Sequence, residues 1–301
     1  MKRSNELKSV IWAMNRSAMG IVLQRAEDVE NHEPTPVVPR LIEPTDGPTE
    51  GVLAGLDVQR AKKTVAVVPL RGVIGLHDFW ADVDVAQFAA VVGSLVANDS
   101  IGAIVLDVDS PGGSVYGLNE AADVLYAARK EKPIYAVSTG MMASAAYFLG
   151  TAASKTFVSP SAEVGSIGTW TMHADMSKAL EEMGVAVTLI SAGKFKVEGN
   201  PFSALSDEAR EAIQAEVNEY YGMFVAAVAK HRGRRESTVR SGFGEGRLLT
   251  AQRALDEGMV DGIATLSDVL GAVVPSKRQR GRQANALGAL AIEGAHGGPG
   301  A

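Results

Sequence analysis

The chain has no cysteine among its 301 residues, so disulfides, thiol nucleophiles and cysteine-type zinc sites are excluded. Histidine is scarce: His32, His77, His173, His231 and His296 are the whole supply of imidazole. No apolar run approaches the roughly 18 residues that a membrane-spanning helix needs. Lys2 and Arg3 precede Val10-Ile11-Trp12-Ala13-Met14, but that run stops at Asn15-Arg16. This is too early for the core of a secretory signal, and no small-residue cleavage site follows cleanly. Positive charge is in deficit, with a net charge of −6, which argues against a general nucleic-acid binder. The expectation is a soluble, cytoplasmic chain. What is present is apolar bulk: 46% hydrophobic residues beside 21% charged ones, enough for a large core with appendages.

Four regions follow from patterning. Residues 1–31 offer Ile11, Trp12, Met14, Met19, Ile21, Val22 and Leu23, as in an amphipathic helical arm that docks on a neighbouring subunit, or else on its own domain or another protein. Residues 32–62 hold a cluster of prolines and acids and read as an extended linker. Residues 63–272 alternate strand and helix patterns. Strands are expected at 64–70, 101–108, 133–137, 156–158 and 185–190, with an extended piece at 163–172. Helices are expected at 84–96, 116–130, 143–153 and 176–183, and a long one from a Ser206 cap to about His231, with Gly233 beyond. Thr250 caps a short helix ending at Gly258. Residues 273–301 collapse into Lys277, Arg278, Arg280 and Arg282, then alanine and glycine, and read as a disordered tail. Alternating strands and helices imply an α/β fold with right-handed crossovers.

The chemistry centres on Gly140-Met-Met-Ala-Ser-Ala-Ala-Tyr-Phe-Leu-Gly150, an uncharged stretch after the β-like run Ile134–Val137. Ser144 lies at a strand-to-helix turn between Ala143 and Ala145, where a substrate carbonyl could approach closely. A plainer reading is a buried small-residue helix whose serine bonds back to the backbone. Ser110-Pro111-Gly112-Gly113 is the first partner. Its two glycines tolerate left-handed conformations and close backbone approach, so an amide from Gly112 or Gly113 could join that of Ala145 in holding an oxyanion. A plain β-to-α turn would use the same residues.

A serine hydroxyl also needs a base. His173 lies near Asp175, which allows a serine–histidine–aspartate arrangement. The alternative is a lysine in Gly193-Lys-Phe-Lys-Val-Glu-Gly-Asn-Pro-Phe202. Lys196 sits between Phe195 and Val197 near Phe202, and burial there would favour the neutral amine. In an extended segment Lys194 points the same way, so composition leaves the two lysines undecided.

Ser110-Pro-Gly-Gly113, Ala143-Ser-Ala-Ala-Tyr147, Gly165-Ser-Ile-Gly168, Gly193-x-Phe-Lys196 with Pro201-Phe202, and Gly246-Arg247 with Ala254-Leu-x-x-Gly-x-Val-Asp261 resemble, in this order, the motifs of the signal peptide peptidase A family. The resemblance covers about residues 64–272. It implies a Clp-protease/crotonase-like α/β fold, ring assembly, and a serine endopeptidase in which Lys196 is the general base for Ser144. Gly112, Gly113 and Ala145 would form the oxyanion hole, and Ser166 is a candidate to orient the lysine. No cofactor and no metal is implied. Without an anchor helix the chain is most similar to the phage capsid maturation proteases of the family. That implies scaffold or head proteins as substrates and the host cytoplasm or procapsid interior as location. Other readings are a general or signal-peptide-degrading peptidase, a crotonase-type acyl-CoA hydratase or isomerase, which needs a carboxylate at the reacting centre, and a non-catalytic scaffold protein.

Overall fold

The computed structural model describes residues 12–14, 34–44, 56–78 and 80–274. Its strands are β1 (Trp12–Met14), β2 (Arg40–Ile42), β3 (Thr64–Arg71), β4 (Ile74–Gly75), β5 (Val83–Asp84), β6 (Ile101–Ser110), β7 (Gly112–Ser114), β8 (Ile134–Ala143), β9 (Lys155–Val158), β10 (Glu163–Gly165), β11 (Leu248–Thr250) and β12 (Gly262–Ile263). Its helices are α1 (Val85–Ala97), α2 (Leu118–Ala128), α3 (Ala145–Thr151), α4 (Ser177–Glu182), α5 (Asp207–Arg232), α6 (Glu236–Ser241), α7 (Ala251–Asp256) and α8 (Leu266–Val273).

The main sheet runs β11-β10-β8-β6-β3-β2, with β9 pairing both β8 and β12. Its central strands β3, β6 and β8 are parallel. The apolar run of β6 is buried on both faces: Ile104, Leu106 and Val108 enter a core shared with α1, α2, α3 and α5. Ala103 and Val105 enter a second core on the opposite face, shared with α8. Two-sided burial is what the near-continuous hydrophobic pattern demands. A smaller sheet, β1-β7-β4-β5, stands beyond the end of β6.

α5 closes one side, and its ends carry the signals read from the sequence. The Ser206 side chain accepts from the Ala209 amide, and Gly233 is left-handed at φ 60°, the usual device for ending a helix. Other expectations change. Val185–Ile190 forms no strand; Val185, Val187, Leu189 and Ile190 are exposed, and among the described residues no strand pairs with them. The extended piece from 163 is a strand only to Gly165. Trp12–Met14 is a strand rather than part of a helix; the rest of the expected arm lies outside the described residues. Within the expected linker, Arg40–Ile42 pairs antiparallel with β3. Beyond Val274 the expected tail also lies outside the described residues. Among the described residues no helix is long and apolar enough to cross a membrane.

His231, near the end of α5, stacks on Tyr126 at 5.0 Å between ring centroids. Its Nδ1 lies 3.0 Å from the Thr151 hydroxyl. That hydroxyl donates to Phe148 O, so the imidazole must be the donor between them. Burial, followed by the nearby Arg129 and Lys230 charges, pushes its pKa down to about 4. The unfolded chain takes a proton at His231 near pH 6.5 and the folded chain resists until about 4, so stability falls as pH drops through that window. The loss is about 3 kcal/mol at most. Urea unfolding midpoints measured from pH 7 to pH 4 should fall for the parent and fall less steeply for His231→Phe.

Candidate active site

Ser144 occupies the junction between β8 and α3, at φ 52° and ψ −116°. This backbone state mirrors an extended one. It is open to glycine but costs a residue with a side chain about 1–3 kcal/mol. The Ser144 amide donates to Gly165 O at 2.7 Å, and the Ser144 carbonyl accepts from Phe148 N at 2.8 Å. Ala143, Ala145 and Ala146 pack around it with no exposure. Tyr147 anchors the helix by donating to Met259 O. The Ser144 hydroxyl is buried and has no hydrogen-bond partner, at a desolvation cost of about 1–3 kcal/mol. Two penalties fall on one side chain. A structural serine would have bonded back to a carbonyl; this one does not.

The distal half of β8 is held from β6. Asp109 Oδ1 accepts from the Met141 amide, and the Thr139 hydroxyl contacts Asp107 Oδ1 and Val108 O. Asp107 in turn pairs with Arg71 at 2.6 Å. A Cβ at position 140 would stand 2.5 Å from Asp109 Oδ1, so Gly140 admits the carboxylate that fixes the strand. These positioning residues were not singled out from the sequence. The signal for them is two acids at the end of an otherwise apolar strand.

Gly112 is left-handed at φ 99°, and its amide donates to the Ser110 hydroxyl at 3.2 Å. A Cβ on Gly113 would lie 1.8 Å from Ile74 O, so β4 alone requires a glycine there. α3 packs against β7. Ala145, as the first helical residue, presents an amide with no acceptor inside the helix.

Ser166 follows Gly165, whose carbonyl holds Ser144. It is itself left-handed at φ 55°, and its amide donates to Arg247 O. The structure thus brings Ser144, Ala145 and Ser166 into one neighbourhood with β7 alongside. Among the described residues it brings no base to Ser144: the unpartnered hydroxyl meets neither Lys196 nor His173. Lys194 is paired with Glu208 at 2.9 Å and lies over the Phe195 ring. Lys196 is exposed rather than buried between its apolar neighbours. His173 Nε2 lies 3.0 Å from Asn200 O, and its ring lines an open groove of about 440 Å³ between Thr169–Thr171 and α5. Asp175 accepts from the Ser177 amide, and bonding to Ser177 holds its carboxyl below the usual range. The histidine and aspartate of the alternative triad are therefore engaged elsewhere.

The family model of peptidase family S49 matches residues 126–278, half of the chain, across Ser144, Ser166 and Lys196. The chain belongs to peptidase family S49. The Clp protease family model matches residues 70–175, in keeping with the Clp-protease-like α/β fold of this S49 chain. It is 33% identical over 208 residues to capsid assembly protease C of Escherichia phage lambda, covering 69% of this chain and 45% of that protein. It is 30% identical over 237 residues to the head-tail preconnector protein GP5 of Enterobacteria phage P21, covering 77% and 47%. A likeness to a ClpP1 mutant from Listeria monocytogenes has 20% identity and a TM-score of 0.41, over 68% of this chain and 94% of that one. The chain spans about half the length of the curated phage relatives it matches.

The backbone state of Ser144 has a measurable consequence. Ser144→Gly relieves the left-handed strain and Ser144→Ala does not, so the glycine variant should be the more stable by about 1 kcal/mol. Thermal unfolding of the two variants side by side checks this.

Proposed function

We propose that this chain is a serine endopeptidase that processes phage scaffold or head proteins during capsid maturation, with Ser144 as nucleophile. One observation carries the reading: a buried, strained serine whose hydroxyl has been left without a partner, at the end of a parallel strand in an S49 chain. Buried hydroxyls are otherwise satisfied, and unsatisfied strained ones gather at sites of chemistry. The names of the two phage relatives support the choice of substrate. The expected location is accordingly the host cytoplasm or the procapsid interior.

In the mechanism we infer, neutral Lys196 takes the Ser144 proton as Oγ attacks a peptide carbonyl. The ammonium then gives its proton to the departing amine, leaving an acyl-enzyme. Water, deprotonated by the same lysine, attacks the ester carbonyl and regenerates Ser144. Ser166 orients the lysine. The oxyanion is held by Ala145 and Gly113, each donor worth about 3 kcal/mol in the transition state. Gly112, whose amide already serves Ser110, is the weaker donor. Lys196 is preferred to Lys194 because it carries no ion pair among the described residues, whereas Lys194 is engaged by Glu208.

The dyad would close in a homo-oligomer, in keeping with the ring expected for the family. The segment that carries Lys196 exposes Met183, Val185, Leu189, Ile190, Phe195 and Phe202, an apolar strip that suits a second copy of the chain. Its packing would bury the lysine and favour the neutral amine.

The test is incubation of the chain with candidate head and scaffold proteins, with new termini read by mass spectrometry. Ser144→Ala and Lys196→Ala should each lower turnover at least about a thousandfold with circular dichroism unchanged. Lys194→Ala and His173→Ala should retain turnover. Loss in Lys194→Ala with retention in Lys196→Ala would move the base, and loss in His173→Ala would restore the triad.

A further inference from the structure

β7 has two edges. One is closed by β4, with Gly113 opposite Ile74. The other is taken by β1, antiparallel, with Trp12 opposite Ser114, Ala13 opposite Gly113 and Met14 opposite Gly112. Among the described residues β1 ends the sheet and pairs with no strand but β7. Two of the three residues it pairs with are the glycines of β7, the strand that packs on α3. Adding a strand to an open edge is how proteins take up an extended polypeptide, since main-chain hydrogen bonds provide affinity without regard to sequence. A stretch of the chain itself thus lies where an incoming polypeptide would lie.

A second observation agrees. Ser144 has no exposed surface, yet a nucleophile must be reached by its carbonyl. In this arrangement the site is closed, and the short ladder of β1 is held on one side only.

We propose that β1 is a built-in occupant of the peptide-binding edge, a pseudosubstrate strand that an extended polypeptide must displace before it reaches Ser144. This rests on the reading of Ser144 as a nucleophile for polypeptide. The occupant lowers apparent substrate affinity by the fraction of time it is seated. A substrate that adds contacts outside the three-residue ladder outcompetes it.

The test uses the full chain with Trp12→Pro and Ala13→Pro together. Neighbouring residues of a strand point their amides to opposite sides, so one of the two prolines must remove a bond to β7. In a Ser144→Ala background, a fluorescent peptide copying residues 8–18 is titrated by anisotropy. The double-proline form should bind it at least about tenfold more tightly than its parent. Amide exchange at residues 112–114 should quicken in the proline form and slow again with peptide, while exchange across β6 and β8 stays unchanged. Equal affinities, or exchange at 112–114 indifferent to both prolines and peptide, would overturn the proposal. With Ser144 intact, the prolines should lower KM for the peptide and leave kcat alone. If neither form hydrolyses any polypeptide while the affinities still differ, the peptidase reading fails and the seated strand stands. If hydrolysis proceeds with KM and affinity unchanged, the seated strand alone fails.

Discussion

The hydrogen bond from the Ser144 amide to Gly165 O holds together what the chain would otherwise let relax. A serine at φ 52° returns to an ordinary conformation unless its neighbours over-determine it. Here they do so from three directions. β8 reaches the junction as a central strand, α3 leaves it with a buried first turn, and β10 supplies the carbonyl. The large two-sided core around β6 and β8 makes such a local penalty tolerable, since a domain of this size buries apolar surface worth far more than a few kcal/mol. Strain at Ser144 is thus borne by the sheet around it.

The scaffold was more legible than the site. The strands expected at 64–70, 101–108 and 133–137 announce themselves by runs rich in Val, Ile, Leu and Ala, because burial on both faces leaves little room for polar alternation. α5 is legible at both ends through Ser206 and Gly233. α8 was not read in advance, although Thr265 and Asp268 form a capping box at its start, a signal of the kind that marked α5. Val185–Ile190 misled because apolar alternation reports a wish for burial and not the presence of a partner. Within one chain that wish goes unmet, and the backbone stays irregular.

At the site, Ser144 was legible from its small neighbours and its place after a strand. Gly113 was legible as glycine for one reason and is required for another, the carbonyl of Ile74. Asp107, Asp109 and Thr139 were not legible, because their contacts cross between strands far apart in sequence and depend on register. The proposed base was the least legible part. Two lysines separated by one residue differ only in what else they touch, and Glu208 distinguishes them across a turn that no periodicity describes.

β8 changes neighbours part-way along: residues 135–138 pair with β9, and 141–143 pair with β10. Across the same stretch β6 slips register, so that Ser110 faces Met142. The serine's location is therefore counted off along the chain from a fixed origin in the middle of the sheet. Adding or dropping a single residue between Ser138 and Met141 would turn every later side chain to the opposite face. That portion of the chain tolerates no change of length. The loop bearing the two lysines belongs to no strand ladder, so a change of length there leaves the register that places Ser144 intact.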